Sequence, residues 1–351
     1  MNARADFRSD TMTVPTAAMR QAMATAVVGD DVWGEDPTVR ALEEEGALVL
    51  GKPAALFVPS GTMANQIAIH VHCRAGDELI CEERAHVYFH EGGGIARWSG
   101  TQVRPLVAPS GFPTPDQIDA ALRADDPHYP RSRLLVIENT HNQSGGRTAG
   151  AVRVAAMAAV AKARGLAVHC DGARLMNAAI ALACPAAELV ASVHSTTLCL
   201  SKGLGAPVGS LLAGDVAFIH QARRARKAFG GGMRQAGVIA AAARLALHEG
   251  PALLAHDHTR AKRLAHGLAE LPWARIDVEG TETNIVMLDL VDADPLALLA
   301  HLTAHDVLAA KAGPLRIRFV LHRDVDDVGV QRCLAACRSF QPGKAPSPSV
   351  A

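Results

Sequence analysis

The chain has 351 residues, 35 lysines and arginines balanced by 35 acids, 49% apolar residues and only 4% aromatic ones. That length suits one large and one small domain with a substantial core. Zero net charge gives no long-range field for a polyanion and the few aromatics offer little for bases to stack on, which excludes nucleic acid as the expected partner and leaves small-molecule chemistry as the default.

The opening "MNARADFRSD" is polar and lacks the apolar stretch of a secretory leader, and no later run approaches bilayer length, so a cytoplasmic protein without a membrane partner is expected. Seven cysteines without a C-x-x-C pair agree, with Cys333 and Cys337 expected on one helix face and reduced. "AALFVP" (54–59) reads as a buried strand and "GTMANQIAIHVHC" (61–73) as the helix that follows it. "LLVIEN" (134–139) precedes a helix in "AVRVAAMAAVAKARG" (151–165), and "LAVHCD" (166–171) and "SLLAG" (210–214) are further strands. This alternation predicts an α/β domain with a mostly parallel central sheet. Beyond about Pro251 the rhythm changes: a helix over 252–270, "RIDV", "TNIVMLDL", a helix near 295–305, "LRIRFVLH" and a final helix suit a smaller α+β domain. The expected division is a large domain over 1–250, a small one over 251–340 and a Pro- and Ser-rich disordered tail over 341–351.

In parallel α/β sheets, ligands gather at the carboxyl ends of the strands, and three polar clusters fall there. Ser60, Gly61 and Thr62 open a helix, where free amides and hydroxyls hold a phosphate or merely cap the helix. Asp171 ends an apolar strand and suits a ring nitrogen, a metal or a cap. Lys202 follows apolar "TTLCL" and sits among Gly203, Gly205 and Gly209, small residues that suit a close approach to something other than protein; desolvated there, its amine becomes a nucleophile toward carbonyls. Phosphate cup, carboxylate and amine are together the three handles of pyridoxal 5′-phosphate (PLP), whose aldehyde forms a Schiff base with lysine. The histidines of "HVHC" (70–73) and "HDH" (256–258) lie two apart in helical stretches and share no face, so no metal is assigned.

Taken in order, "FRSDTMTVPTAAMRQAM", "VGDDVWGEDPTVRALE", "ALFVPSGTMANQ", "ENTHN", "HCDGARLMNA", "LSKGLGAPVGSLLAG" and "GGGMRQAG" resemble the low-specificity L-threonine aldolases from Phe7 to about Leu247, with a further match at "LRIRFVLH". The resemblance implies the aspartate-aminotransferase-like PLP fold (fold type I), a homotetramer with active sites at subunit interfaces, and cleavage of L-threonine, L-allo-threonine and related β-hydroxy-α-amino acids to glycine and an aldehyde. It implies Lys202 as the Schiff-base lysine, Asp171 as the pyridine-nitrogen partner, and Ser60, Gly61 and Thr62 on the phosphate. Arg234 reaches a neighbouring subunit's phosphate, with Lys227 a weaker candidate for that reach. Ser9, Arg174 and Arg318 take the substrate carboxylate, although Arg316 lies two residues away on the same strand face. His86 lies over the cofactor ring with a base role open to it, His128 faces the substrate β-hydroxyl, and His141 supports the pocket. The chain departs from the family pattern at Trp33, where tyrosine is usual, at Phe89 with the triple glycine after it, and in "ENTHNQSGGR". Because PLP alone does not choose the reaction, a β-eliminating lyase of the same fold and a catalytically silent PLP-binding protein are the alternatives.

Overall fold

A computed structural model describes residues 4–342, so the tail expected from Gln341 lies beyond Pro342 outside the described residues. The chain opens with β1 (Ala5–Asp6), α1 (Ala17–Ala24) and α2 (Pro37–Val49). Both helices start on side-chain caps: Thr16 accepts the Met19 N–H, and Asp36 accepts those of Thr38 and Val39, with Pro37 in the turn that needs no donor. Then come β2 (Ala54–Val58), α3 (Gly61–His72), β3 (Glu78–Glu82), α4 (His86–Phe89), β4 (Gln102–Leu106), α5 (Pro115–Ala121), β5 (Ser132–Glu138) and α6 (Ala151–Ala163). β6 (Ala167–Asp171), α7 (Leu175–Ala181), α8 (Ala186–Leu189), β7 (Ser195–Cys199), β8 (Ser210–Gly214), α9 (Val216–Ala228) and α10 (Gly237–Glu249) follow. α11 (Pro251–Ala269), bent 62° from α10, leads to β9 (Ala274–Ile276), β10 (Ile285–Leu290), α12 (Pro295–Ala304), β11 (Val307–Leu308), β12 (Ala310–Gly313), β13 (Arg316–Val320) and α13 (Asp327–Ser339). Cys333 and Cys337 lie four residues apart on α13, as their spacing led one to expect, and both are buried. Among the described residues no single helix is long and apolar enough to cross a membrane.

Seven strands form the central sheet in the order β2-β8-β7-β6-β5-β3-β4. It is mostly parallel, and only β8 runs against its neighbours. Helices cover both faces, which is why its inner strands read as near-continuous apolar runs. The register sets Glu138 beside Asp171, so β5 and β6 end on adjacent carboxylates.

Three strands of the central sheet, β3, β4 and β7, were not among the sequence expectations, nor were the short β1, β11 and β12 outside it. β3 is wholly buried yet carries an acid at each end, a pattern that argues against a core strand. Partners from elsewhere make it tolerable: Arg123 and Gln102 donate to Glu78, and Glu82 accepts the Arg84 N–H and faces His141 at 3.0 Å.

The small domain is a four-stranded antiparallel sheet, β12-β13-β10-β9, covered by α11, α12 and α13. Two features differ from the expected division. β1 pairs in parallel with β11, and Phe7 packs edge-on against Phe319 with centroids 5.9 Å apart, so the first residues belong to the small domain's core. The boundary also falls within α11: Leu254 joins the large core, whereas Ala261, Leu264 and Leu268 join the small one.

Candidate active site

At the carboxyl ends of β6 and β7, next to the start of α3, lies a cavity of about 190 Å³. Ser60, Gly61, Thr62, His86, Asp171 and Lys202 line it together, with Asn65, Ala173, Cys199 and Ser201. Ser60 caps α3 by accepting the Met63 N–H, which leaves the Gly61 and Thr62 amides facing outward at a positive helix end. The buried hydroxyl of Ser210 has no partner among the described residues and would lie 3.6 Å from a Cβ at Gly61. The Lys202 amine likewise makes no hydrogen bond among the described residues, while its carbonyl anchors Thr13 Oγ1 and the Gly205 N–H.

The glycines after Lys202 serve a purpose other than the expected one. Gly205 and Gly209 take φ of +86° and +112°, and side chains there would collide with Arg323 and Phe57; a Cβ at Gly203 would meet Leu254 at 3.0 Å. They make room for protein, and so shape the loop that presents Lys202.

Asp171 is buried, and its Oδ1 accepts the Ala173 N–H at 3.1 Å and its Oδ2 the Asn65 amide at 2.9 Å. The same amide donates to Glu91, which also takes His86 Nδ1 at 2.8 Å and Gln66 at 2.6 Å. Burial disfavours a charge on His86, but the Glu91 hydrogen bond and the Asp171 charge outweigh it and hold its pKa above the usual value. Glu91 is pushed up by burial, against its bond to His86, with the Asp171 charge adding to the effect. His86 Nε2 is left without a partner among the described residues. Ligand atoms of His86, Glu91 and Asp171 lie within 4.8 Å of one another, knit by Asn65. His141 is fully buried against Glu82, in keeping with a supporting part.

The three carboxylate-binding candidates come together unequally. Arg174 is buried and spends one edge on Asp10, with bonds of 2.7 and 2.8 Å. Burial would raise the Asp10 pKa, but the Arg174 charge and hydrogen bonds bring it down to about 2. Ser9 caps the short turn that carries Asp10 by accepting the Thr11 N–H. Arg318 meets only neutral groups, Asn142 Oδ1 at 2.9 Å and the Arg8 carbonyl at 3.2 Å, and its buried Nε has no partner among the described residues. Burial and the Arg174 charge lower its pKa. Arg316, in contrast, is held bidentately by Asp289 at 2.6 and 2.7 Å. Of the two, Arg318 is therefore the guanidinium without an anion.

Known proteins similar to this chain identify its family. Residues 6–292 match the family model described as beta-eliminating lyase. Low-specificity L-threonine aldolase 1 of Arabidopsis thaliana is 44% identical over 339 residues, 94% of each chain, and the low specificity L-threonine aldolase of Escherichia coli (strain K12) is 41% identical over 336 residues, 95% of this chain and 98% of that one. The chain belongs to the low-specificity L-threonine aldolase family. The fold agrees: a Leishmania major threonine aldolase superposes with a TM-score of 0.81 at 21% identity over 95% of this chain and 98% of that one, and a Sphingomonas wittichii serine palmitoyltransferase with 0.75 at 20% over 96% and 86%. The family marks the chain as a PLP-dependent lyase, and the structural likeness gives it the fold-type-I architecture.

Five expected site residues do not line the cavity: Ser9, Arg174 and Arg318 meet beside one another through the segment Arg8–Asp10, whereas His128 and Arg234 lie apart from it. His128 is bonded to Asp126 at 2.6 Å with its side chain 85% exposed, just before β5. The seven residues of that strand, about 20 Å, separate it from the Glu138 end. Arg234 is exposed and pairs with Asp30 at 2.9 Å. The structure also adds site residues that the sequence reading missed. Asn65 was findable, since it lies four residues after Gly61 on one helix face; Glu91, Asp10 and Asn142 arrive from separate loops, with no local signal.

Proposed function

We propose that the chain cleaves L-threonine, L-allo-threonine and related L-β-hydroxy-α-amino acids to glycine and an aldehyde. The observation that carries this reading is the meeting, in one cavity, of an unpartnered Lys202 amine, the Asp171 carboxylate and the open start of α3, with the Arg318 guanidinium held against the Arg8 carbonyl, two residues from the Asp10 carboxylate that senses the Lys202 charge. These residues fit PLP: the α3 amides, Ser60, Thr62 and the orphaned Ser210 hydroxyl suit its phosphate, Asp171 its ring nitrogen and Lys202 its aldehyde. When bound, PLP supplies the sink for the electron pair released as the Cα–Cβ bond breaks.

The protein's own groups select that bond. Arg318 and the unused Nη1 edge of Arg174, aided by Ser9, grip the substrate carboxylate and so fix the rotation about the amino-acid Cα. His86, with Nδ1 held by Glu91, presents Nε2 as the atom that takes the β-hydroxyl proton, in the carboxylate–imidazole arrangement that fixes tautomer and orientation. His128 serves the substrate, and Arg234 the phosphate, from neighbouring subunits of a homotetramer; the exposure of both side chains and of Trp33 and Phe89 supports this. Seven free cysteines favour a reducing compartment, the cytoplasm.

Incubation with L-threonine tests the reading, with acetaldehyde plus glycine expected. Formation of 2-oxobutanoate plus ammonia would instead support β-elimination, the reading favoured by the description of the matched family model. Subunit sharing predicts that Lys202→Ala and Arg234→Ala chains, each inactive alone, regain activity when refolded together; no recovery would refute the action of Arg234 in a neighbour's site.

A further inference from the structure

Behind Asp171 runs a buried hydrogen-bond chain whose polarity follows atom by atom. Asn65 Nδ2 faces two carboxylate oxygens, Glu91 Oε1 and Asp171 Oδ2, each at 2.9 Å, so this edge is the NH₂ and the other is the carbonyl. His169 Nε2 lies 3.2 Å from that carbonyl and must donate to it. Its Nδ1 is therefore an acceptor, and the Ser195 hydroxyl donates to it at 2.9 Å. That spends the only hydroxyl proton, so His72 Nε2, 2.8 Å from the same oxygen, donates in turn. His72 stacks on Phe218, centroids 4.7 Å apart, and ends the chain. Burial lowers His169 to about 4, against the Asp171 charge, and His72 to about 3, so both rings are neutral as the donor assignment requires. Every donor from His72 onward points toward the two carboxylates, and such aligned bonds strengthen one another.

We propose that Asn65 is a positioning residue that ties together Asp171 and, through Glu91, His86, and that the His169–Ser195–His72 relay locks its amide in the orientation that does so. A flipped amide would turn its carbonyl toward two carboxylates and its NH₂ toward the His169 donor. His169 and Ser195 act entirely from behind, since neither lines the cavity. The inference rests on the reading that this cavity takes PLP.

The test reconstitutes apoprotein with PLP and reads the dissociation constant, the pH midpoint of the bound cofactor's visible band, and kcat and KM for L-threonine. Asn65→Ala is expected to weaken PLP about tenfold, as loss of an outer partner does at other sites, and to move the midpoint by about half a pH unit. His169→Leu moves both readouts by about half as much on a logarithmic scale, and His169→Gln, whose amide both donates and accepts, restores them to within about twofold. KM stays within about threefold, because the carboxylate grip is untouched. Wild-type values in His169→Leu, or no rescue by Gln, would overturn the proposal. Should the Leu variant fail to fold, the isosteric Asn65→Asp decides: it sets a third carboxylate against the other two, and an unchanged band and affinity would refute the role. A wild-type protein that binds no PLP would instead refute the cofactor reading itself.

Discussion

Asp257→Asn isolates a single buried acid beneath the active-site loops. Asp257, on α11, is fully buried, neither carboxyl oxygen has a hydrogen-bond partner among the described residues, and Arg260 Nη1 stands 4.0 Å away. Burial, reinforced by the charges of Asp10 and Asp324 and opposed by Arg260, raises its pKa from 3.8 to about 7. An unfolded chain releases this proton near 3.8, so between those two values the native protein holds a proton that the unfolded one lacks. Stability therefore falls as pH rises through that window and levels off above it, with a total loss of about 4 kcal/mol. Asparagine has nearly the same shape and no titration. The stability difference between variant and wild type should grow steadily from pH 4.5 to pH 7.5 and then stay flat. For a chain of this length that corresponds to about 5 °C in Tm. Scanning calorimetry of both holoproteins across the range, at one scan rate, measures it. An offset that does not change with pH, or one that shrinks as pH rises, would refute the argument.

Replacing Arg318 by lysine removes a planar two-point grip at the guanidinium that has no anion of its own, and KM for L-threonine should rise about a hundredfold, the equivalent of about 2.7 kcal/mol. PLP absorbance should be retained; equal loss of cofactor would assign Arg318 to PLP binding instead. Trp33, on the turn Asp31–Trp33, is 77% exposed in the protomer, so Trp33→Tyr should leave Tm within about 1 °C. Its effect should appear in the ratio of L-threonine to L-allo-threonine cleavage, measured as aldehyde release. An unchanged ratio together with weakened PLP binding would contradict that assignment.

Much of the candidate cofactor cavity was legible because its parts are local. A strand running into Ser60, Gly61 and Thr62, one ending on Asp171 and the apolar stretch before Lys202 can each be recognised within a dozen residues, and the sheet then carries all three to the same edge. The carboxylate grip was legible only in part. Arg316 and Arg318 share a strand face, so periodicity does not separate them and only the resemblance favoured Arg318; the β10 register adds a physical difference, placing Asp289 opposite Arg316 and Met287 opposite Arg318. Arg174 was expected to face substrate, but Asp10, 164 residues earlier, takes one edge of it.

Sequence alone thus determined the α/β alternation and the polar clusters at strand ends, which depend on periodicity and on junctions between neighbouring elements, while its motifs in order carried the resemblance to the fold family. Tertiary structure decided the rest: that β1 completes the small domain, that buried Glu78 and Glu82 are tolerable in a core strand, that glycines near Lys202 yield space to Arg323 and Phe57, and that Asn65 joins Asp171 to Glu91. Each of these is a contact between distant segments, and its free energy exists only once the chain between them has folded.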